Sequence, residues 1–249
     1  MFSVSLGMAS VATPLLAVRS GYSGIEVGLL VAVSALTQMA TRLVLGRAMR
    51  IVGDWVLVVA AAALLAGSNA LLALTAAAVP FILAATVQGV ARACFWTGSQ
   101  THVVRGPGTA VGALAQVNFI SSLGLLAGPT LAGILAELSL QTAFGVAALV
   151  AVAAVVPALL LDRLPPFQPP PDRPPGQIWR RPGVATGCWA GASAGAWRGL
   201  LGSYVPVALE AARQPGTTTG ALVSVANAAS VVGAVVVGRV RERWVRRSL

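Results

Sequence analysis

Residues 7–47, GMASVATPLLAVRSGYSGIEVGLLVAVSALTQMATRLVLGR, align without a gap on residues 199–239, GLLGSYVPVALEAARQPGTTTGALVSVANAASVVGAVVVGR. The second copy lies 192 positions after the first, and the alignment pairs Pro14 with Pro206 and Arg47 with Arg239. Matches between Val and Leu arise by chance in an apolar chain, but a shared proline and a shared Gly-Arg ending are harder to attribute to chance. The chain therefore contains about one and a third copies of a unit.

The composition places this unit in a membrane. Hydrophobic residues make up 57% of the 249 residues, charged residues only 10%, and the mean hydropathy is +0.82. A soluble domain of this length cannot bury so much apolar surface, so lipid is its solvent. All 17 basic residues are arginines, and they give a net charge of +10. They cluster between apolar segments, which indicates lipid headgroups of the bilayer and not nucleic acid as partners.

Eight apolar segments are long enough to cross a bilayer as helices, since strands of a membrane barrel are shorter and alternate. A cleaved signal peptide is the alternative for the first segment, although no basic residue precedes it. The segments cover residues 3–18, 25–46, 55–77, 79–103, 110–135, 141–161, 183–209 and 218–238.

The arginines also predict the orientation, because cytoplasmic loops collect basic residues. The loops after the second, fourth, sixth and eighth segments hold twelve arginines, and the opposite loops hold only Arg19 and Arg213. We therefore expect a multi-pass plasma membrane protein with a six-helix N-terminal half (1–161), a Pro-rich cytoplasmic linker (162–181) and a partial C-terminal half (182–249). The last part comprises two helices and a basic cytoplasmic tail. Six spans, a linker and a second copy in the same orientation are typical of parallel-repeat transporters.

A charged loop follows the second segment at Gly46-Arg47-Ala48-Met49-Arg50-Ile51-Val52-Gly53-Asp54. It resembles the Gly-x-x-x-Asp-Arg-x-Gly-Arg-Arg motif that the major facilitator superfamily has at this place. Arg50 and Ile51 replace the Asp and Arg of the motif, and Asp54 stands where an Arg is expected. The resemblance implies a charge-paired latch at the cytoplasmic gate, and the exchanged signs are compatible with a local ion pair that has changed partners. The candidate gate-loop residues are Gly46, Arg47, Arg50, Gly53, Asp54 and, in the second copy, Gly238, Arg239, Glu242 and Arg243.

The fifth segment, from Gly124 to Gly133, resembles a second motif of the superfamily, Gly-x-x-x-Gly-Pro-x-x-Gly-Gly, best known in its proton-driven exporters. Gly124, Gly128 and Ala132 form a smooth stripe that lets another helix approach, and a proline inside a helix bends it. The last helix has a matching stripe at Ala226, Ser230 and Ala234, and the resemblance implies that these two helices pair. Generic membrane-helix packing is the alternative explanation. The candidate packing residues are Gly124, Gly128, Pro129 and Gly133.

Arg92 and Arg198 fall near the middle of their segments, and no Asp or Glu lies at a comparable depth. A central membrane arginine costs at least about 2.5 kcal/mol, so it normally faces a cavity or a partner. Either an anionic ligand or an acid in further helices would supply the partner. The alternative is that Arg92 bonds to neighbouring carbonyls and that the tryptophans fill packing gaps. The candidate cavity residues are Gln88, Arg92, Trp96, Gln116, Asn118, Trp197 and Arg198.

These features predict an all-α integral membrane protein that resembles the major facilitator superfamily. The resemblance implies a secondary active transporter of a small solute that works by alternating access, and the two central arginines add the hypothesis of an anionic solute. The motif of the fifth segment adds the hypothesis of proton-coupled export. Catalytic pairs, metal-ligand clusters and phosphate-binding loops are missing from the sequence, so we expect no enzyme, no metal and no cofactor.

A truncated, transport-incompetent fragment or a non-transporting membrane interaction protein is the competing hypothesis. The repeat maps the start of the seventh segment, near Gly183, to about nine positions before Met1, and the second copy stops after two of six helices. We therefore expect coding sequence upstream of this chain and roughly four further helices downstream.

The orientation can be tested with single cysteines at Gln168, in the predicted cytoplasmic linker, and at Gln214, in a predicted outer loop. In intact cells an impermeant thiol reagent should label the Gln214 site and spare the Gln168 site. The unmodified chain is the control, because its two cysteines lie in apolar segments. Labelling of the Gln168 site alone would reverse the orientation.

Overall fold

The computed structural model describes residues 1–107, 109–168 and 183–247. The described regular elements are helices, with a π-helical turn, Leu200–Tyr204, between α7 and α8. The helices are α1 (Phe2–Arg19), α2 (Gly24–Ala48), α3 (Asp54–Leu74), α4 (Ala78–Arg105), α5 (Ala110–Leu138), α6 (Leu140–Leu159), α7 (Val184–Gly199), α8 (Val205–Ala211) and α9 (Gly216–Arg247).

Six of these helices, α1 to α6, are long and apolar enough to cross a membrane. This confirms the all-α membrane fold and the first six predicted segments. The seventh predicted segment comprises α7, the π-helical turn and α8, and the eighth lies within α9. Most of the predicted linker, residues 169–181, lies outside the described residues.

Local sequence explains where several helices begin. Ser23 and Glu26 form a capping box at the start of α2, and the side chains of Thr109 and Ser139 cap α5 and α6. Each cap satisfies backbone N–H groups that the first turn of a helix leaves without a partner. Pro80 occupies the first turn of α4, where its missing N–H costs nothing.

Helix α1 occupies the interior of the first six helices and packs against both α5 and α6. Helix α3 packs against α4 and α6, and α4 also packs against α2. Their shared core includes the fully buried side chains of Met8, Leu15, Leu65, Phe81 and Phe144. Large aliphatic side chains on the outer faces, such as those of Ile25, Leu43 and Leu149, are exposed as lipid contact requires.

Helices α1 and α5 approach through glycine. A Cβ atom on Gly128 would lie 2.5 Å from the carbonyl oxygen of Val4 and 2.8 Å from the Cα of Gly7, and one on Gly124 would lie 2.8 Å from the Cβ of Ser3. The stripe of the fifth segment therefore faces α1. The expectation that this stripe meets the last helix is wrong, because the face that meets α9 begins one residue later, about 100° around the helix.

That second face of α5 does pack against α9, which confirms the predicted pairing of the fifth and last segments. Pro129 and Gly133 lie against Gly220 so closely that a side chain on either glycine would overlap the facing backbone. The Ser224 hydroxyl hydrogen-bonds with Thr130 Oγ1 at 2.8 Å, and it donates to the Leu126 carbonyl at 2.6 Å. Small residues and interhelical hydrogen bonds thus join the two helices. Ser230 and Ala234, two residues of the predicted matching stripe, have side chains outside the described part.

Replacing Gly128 with alanine should lower the stability of the protein, because the new methyl group meets backbone atoms of α1 that cannot move aside. Overpacking of this kind costs about 1–3 kcal/mol. Gly67→Ala is the matched control, since nothing lies within 4 Å of a Cβ on that mid-helix glycine. Thermal unfolding in detergent should show a lower midpoint for Gly128→Ala and an unchanged or higher one for Gly67→Ala. Equal midpoints would contradict the close α1–α5 contact.

Candidate functional site

A cavity of about 340 Å³ lies between α1, α2, α4 and α5 on one side and α7, the π-helical turn and α9 on the other. This volume is at the lower end of the range for small-molecule sites. Apolar side chains make up much of its wall, and the rest of the wall is polar. The polar side chains are those of Ser10, Thr13, Ser34, Gln38, Gln88, Arg92, Arg198 and Asn227.

Gln88, Arg92 and Trp96 lie one turn apart along α4 and all line this cavity. The four-residue spacing puts them on one face of the helix, as the sequence indicates. Gln88 is only 3% exposed. Among the residues that the structure describes, Gln88 Nε2 and Arg92 Nε are buried donors without a hydrogen-bond partner.

Ser34 reaches the cavity because α2 lies directly against α4 at Gly89. A Cβ atom on Gly89 would overlap the carbonyl oxygen of Ser34, so only glycine permits this approach. Ser34 Oγ is also buried and has no hydrogen-bond partner among the described residues, and the same holds for Thr13 Oγ1 on α1. Sequence reasoning missed both residues. The four-residue spacing of Ser34 and Gln38, which places them on one face of α2, was the available signal.

Arg198 enters the cavity from α7, just before the π-helical turn. Pro206 accounts for that turn, because proline has no N–H to donate and its ring crowds the carbonyl four residues earlier. The Ser203 hydroxyl donates to the Gly199 carbonyl at 2.7 Å, which satisfies one of the acceptors within the irregular turn. π-Helical turns are frequent at functional sites. Arg198 and Arg92 thus line the same cavity from two different helices.

Three predicted cavity residues lie elsewhere. Gln116 and Asn118 are on an exposed part of α5, and Trp197 is 49% exposed on α7; none of them lines the cavity that the described residues form. Gln116 and Asn118 were selected as polar residues of the fifth segment and Trp197 as an aromatic neighbour of Arg198, but the structure leaves all three outside the lining of this cavity. Asn227, which sequence reasoning did not select, lines the cavity from α9 and donates to the Leu125 carbonyl at 3.1 Å.

The gate-loop residues lie at one end of the bundle, which we call the Asp54 end. Asp54 is the first residue of α3, and its side chain is fully buried. Its Oδ2 atom lies 3.2 Å from Arg105 Nη1, and its Oδ1 atom lies 3.4 Å from His102 Nδ1. The partner of Asp54 is therefore the end of α4, whereas Arg50 is exposed. Gly46 and Arg47 lie exposed near the end of α2, and Gly53 is the residue just before α3.

The start of the linker lies on this loop. Arg105 Nη2 donates to the Pro165 carbonyl at 2.7 Å, and the Phe167 N–H donates to the Met49 carbonyl at 2.9 Å. The Arg163 guanidinium lies 5.2 Å from the centre of the Trp55 ring. Residues 163–167 thus follow the surface formed by the loop and the end of α4. The second-copy residues Gly238, Arg239, Glu242 and Arg243 belong to α9, and their side chains lie outside the described part.

At the opposite end, which we call the Arg19 end, the two repeated units are joined. Arg19 binds Glu210 of α8 through two contacts of 2.8 and 3.2 Å, and the Thr217 N–H of α9 donates to Glu137 of α5 at 3.2 Å. In contrast, α7 buries none of its residues. In the described part, the units therefore meet at the Arg19 end and separate along α7 toward the Asp54 end.

These features define a helical membrane protein whose central cavity lies between two repeated units. The sequence profile of the Major Facilitator Superfamily matches the whole chain, residues 1–249, and the chain belongs to this superfamily. The match confirms the resemblance that the gate loop and the α5 motif indicated. The superfamily consists of membrane transporters of small solutes and is generally not enzymatic. A comparison with curated proteins found no match.

Replacing Asp54 with asparagine should destabilise the protein, because it removes the charge that Arg105 and the first turn of α3 share. Loss of a charge-assisted contact of this kind costs about 1.5–3 kcal/mol. Arg50→Gln is the control and should change stability by less than about 0.5 kcal/mol, since Arg50 is exposed. Thermal unfolding of Asp54→Asn, Arg105→Gln and the double variant measures the coupling. Additive effects of the two single changes would contradict the ion pair.

Proposed function

We propose that the chain acts in secondary active transport of a small solute by alternating access and that the cavity around Arg92 and Arg198 is the solute site. The observation that carries this proposal is that both repeated units contribute side chains to the cavity wall. Arg92 and Gln88 come from the first unit, and Arg198 and Asn227 come from the second. Transporters built from repeats bind their substrates near the bilayer midplane, between the repeats.

Alternating access then follows from a change in which end of the cavity the two units close. With the orientation predicted from the arginines, the Arg19 end faces outward and the Asp54 end faces the cytoplasm. The Arg19–Glu210 ion pair and the α5–α9 contact support a closed outer end in this structure. In the described part, α7 packs extensively only against the π-helical turn and not against α1 to α6, which supports an opening toward the cytoplasm. Rocking of one unit about the α5–α9 contact would expose the cavity to the other side.

An anionic solute fits the charge of the cavity, because its described lining includes two arginines and no Asp or Glu. Proton-coupled export stays a prediction that rests on the α5 motif. The described lining also contains no histidine, so the group that exchanges the proton would have to lie elsewhere in the protein. Residence in the plasma membrane belongs to the same proposal.

The second candidate, a non-transporting membrane protein that binds a partner, has one observation in its favour. Helix α7 and the π-helical turn expose large aromatic side chains: Trp189 is 76% exposed, Tyr204 67% and Trp197 49%. Contiguous exposed apolar surface marks sites where other protein or lipid packs. Alternating access separates the two candidates, because only a transporter presents its cavity to both sides of the membrane.

A cysteine at Ser10, which lines the cavity, tests this difference. In a chain carrying Cys188→Ser, an impermeant thiol reagent added outside should label this site when the protein visits an outward-open state. In the same chain, two further cysteines at Arg19 and Glu210 are cross-linked to each other. The cross-link should abolish labelling of the Ser10 site, because it holds the outer end closed. A cysteine at Gln214 is the control for access from outside and should react in both proteins.

The protein without the cross-link, purified and placed in liposomes, should take up a small solute. The cross-linked protein should not. Lactate, succinate and glucose are suitable first probes, since they differ in charge at similar size. Absence of outside labelling at the Ser10 site, together with no uptake of any probe, would overturn the transport proposal and favour the second candidate.

A further inference from the structure

We propose that the cavity binds a small organic dianion whose two negative charges pair with Arg92 and Arg198. The inference rests on the proposed function, because it takes this cavity to be the solute site. It goes beyond that function by assigning the number of charges on the solute and the residues that bind them.

The first support is the balance of charge. Arg92 and Arg198 face one cavity from α4 and α7, and the described lining contains no carboxylate to neutralise either of them. Two described acids are engaged elsewhere: Asp54 binds Arg105 at one end of the bundle, and Glu210 binds Arg19 at the other. Arg92 is partly buried and Arg198 is exposed. A single negative charge would leave one of the two cations without a partner, whereas two negative charges neutralise both.

The second support is the set of hydrogen-bond donors. Thr13, Ser34, Gln88 and Arg92 each line the cavity and carry a buried polar atom that no described residue partners. A buried hydrogen-bond donor without a partner destabilises the protein. These four side chains therefore favour a ligand with several acceptor oxygens. Carboxylate and phosphate groups offer this number of acceptors, and arginine binds both with two parallel hydrogen bonds.

The third support is the remaining wall, which favours a solute with a carbon skeleton over a bare inorganic ion. Leu6, Pro14, Leu30, Leu125 and Val223 line the same cavity as the polar residues. A cavity of about 340 Å³ has room for more than an isolated oxyanion. Its charge and its wall together define a short organic molecule with two acidic charges. These are either two carboxylates or one phosphate monoester.

Binding to the purified full chain in detergent, measured by isothermal titration, tests this assignment with four probes of similar size. Succinate carries two carboxylates, glycerol 3-phosphate carries both charges on one phosphate, butyrate carries one charge, and succinamide carries none. At least one dianion should bind about tenfold or more tightly than butyrate and succinamide, because each charge-assisted contact contributes about one order of magnitude or more. The preferred dianion tells which acidic group the site takes.

Arg92→Gln and Arg198→Gln should each weaken binding of that dianion by about ten- to a hundredfold. Arg42→Gln is the matched control, since Arg42 is an exposed arginine outside the cavity, and should bind like the parent. Arg92→Lys keeps the charge and should retain part of the affinity, which separates a binding defect from misfolding if Arg92→Gln proves unstable.

Equal affinity for dianion, monoanion and neutral probe would overturn the assignment. So would unchanged affinity in both glutamine variants, or no binding of any probe by the folded chain. Its failure is separable from that of the transport proposal. Uptake of a neutral solute with no dianion binding counts against the dianion alone. Dianion binding without uptake or outside labelling counts against transport alone.

Discussion

Helix α5 is held against α1 on one face and against α9 on the next, and these contacts place the second unit of the repeat against the first. In lipid, helices gain little from burying apolar side chains, so close packing of small residues must hold them together. Gly124 and Gly128 admit the backbone of α1, while Pro129 and Gly133 admit the backbone of α9. Because these are contacts of backbone with backbone, they leave little freedom in the distance between the two units.

Charged side chains divide the molecule along its length. At the Asp54 end, a buried carboxylate binds α4, and Arg105 connects it to the first residues of the linker. At the Arg19 end, an ion pair connects the two units. Such pairs are expected near the membrane surfaces, where water and headgroups reduce the cost of the charges. The two central arginines differ from them in kind, since no described acid offsets their cost at mid-depth.

Periodicity and composition were sufficient to predict the first six helices and the shared face of Gln88, Arg92 and Trp96, because both depend on local geometry. The pairing of α5 with the last helix was also predicted, but the prediction assigned the contact to the face of α5 that packs against α1. The partner of Asp54 was not predicted, since Arg105 lies 51 residues away in sequence and no local spacing connects the two. Ser34 was missed for a similar reason. Its place at the cavity depends on Gly89, a glycine of another helix, which allows α2 to approach α4.

The π-helical turn links the packed and the unpacked parts of the seventh span. After the turn begins, Leu201 and Pro206 are buried and α8 is bound to α1 through Glu210; before it, α7 buries no residue. Arg198 lies on the unpacked side, two residues before the turn begins. The position of Arg198 therefore depends on the π-helical turn more than on the contacts that join the two units. Both copies of the repeat have this proline, as Pro14 and as Pro206. Pro14 lies within an α-helix that packs against α5 and α6, whereas Pro206 lies just after the π-helical turn, so the same residue type accompanies different local structures in the two copies.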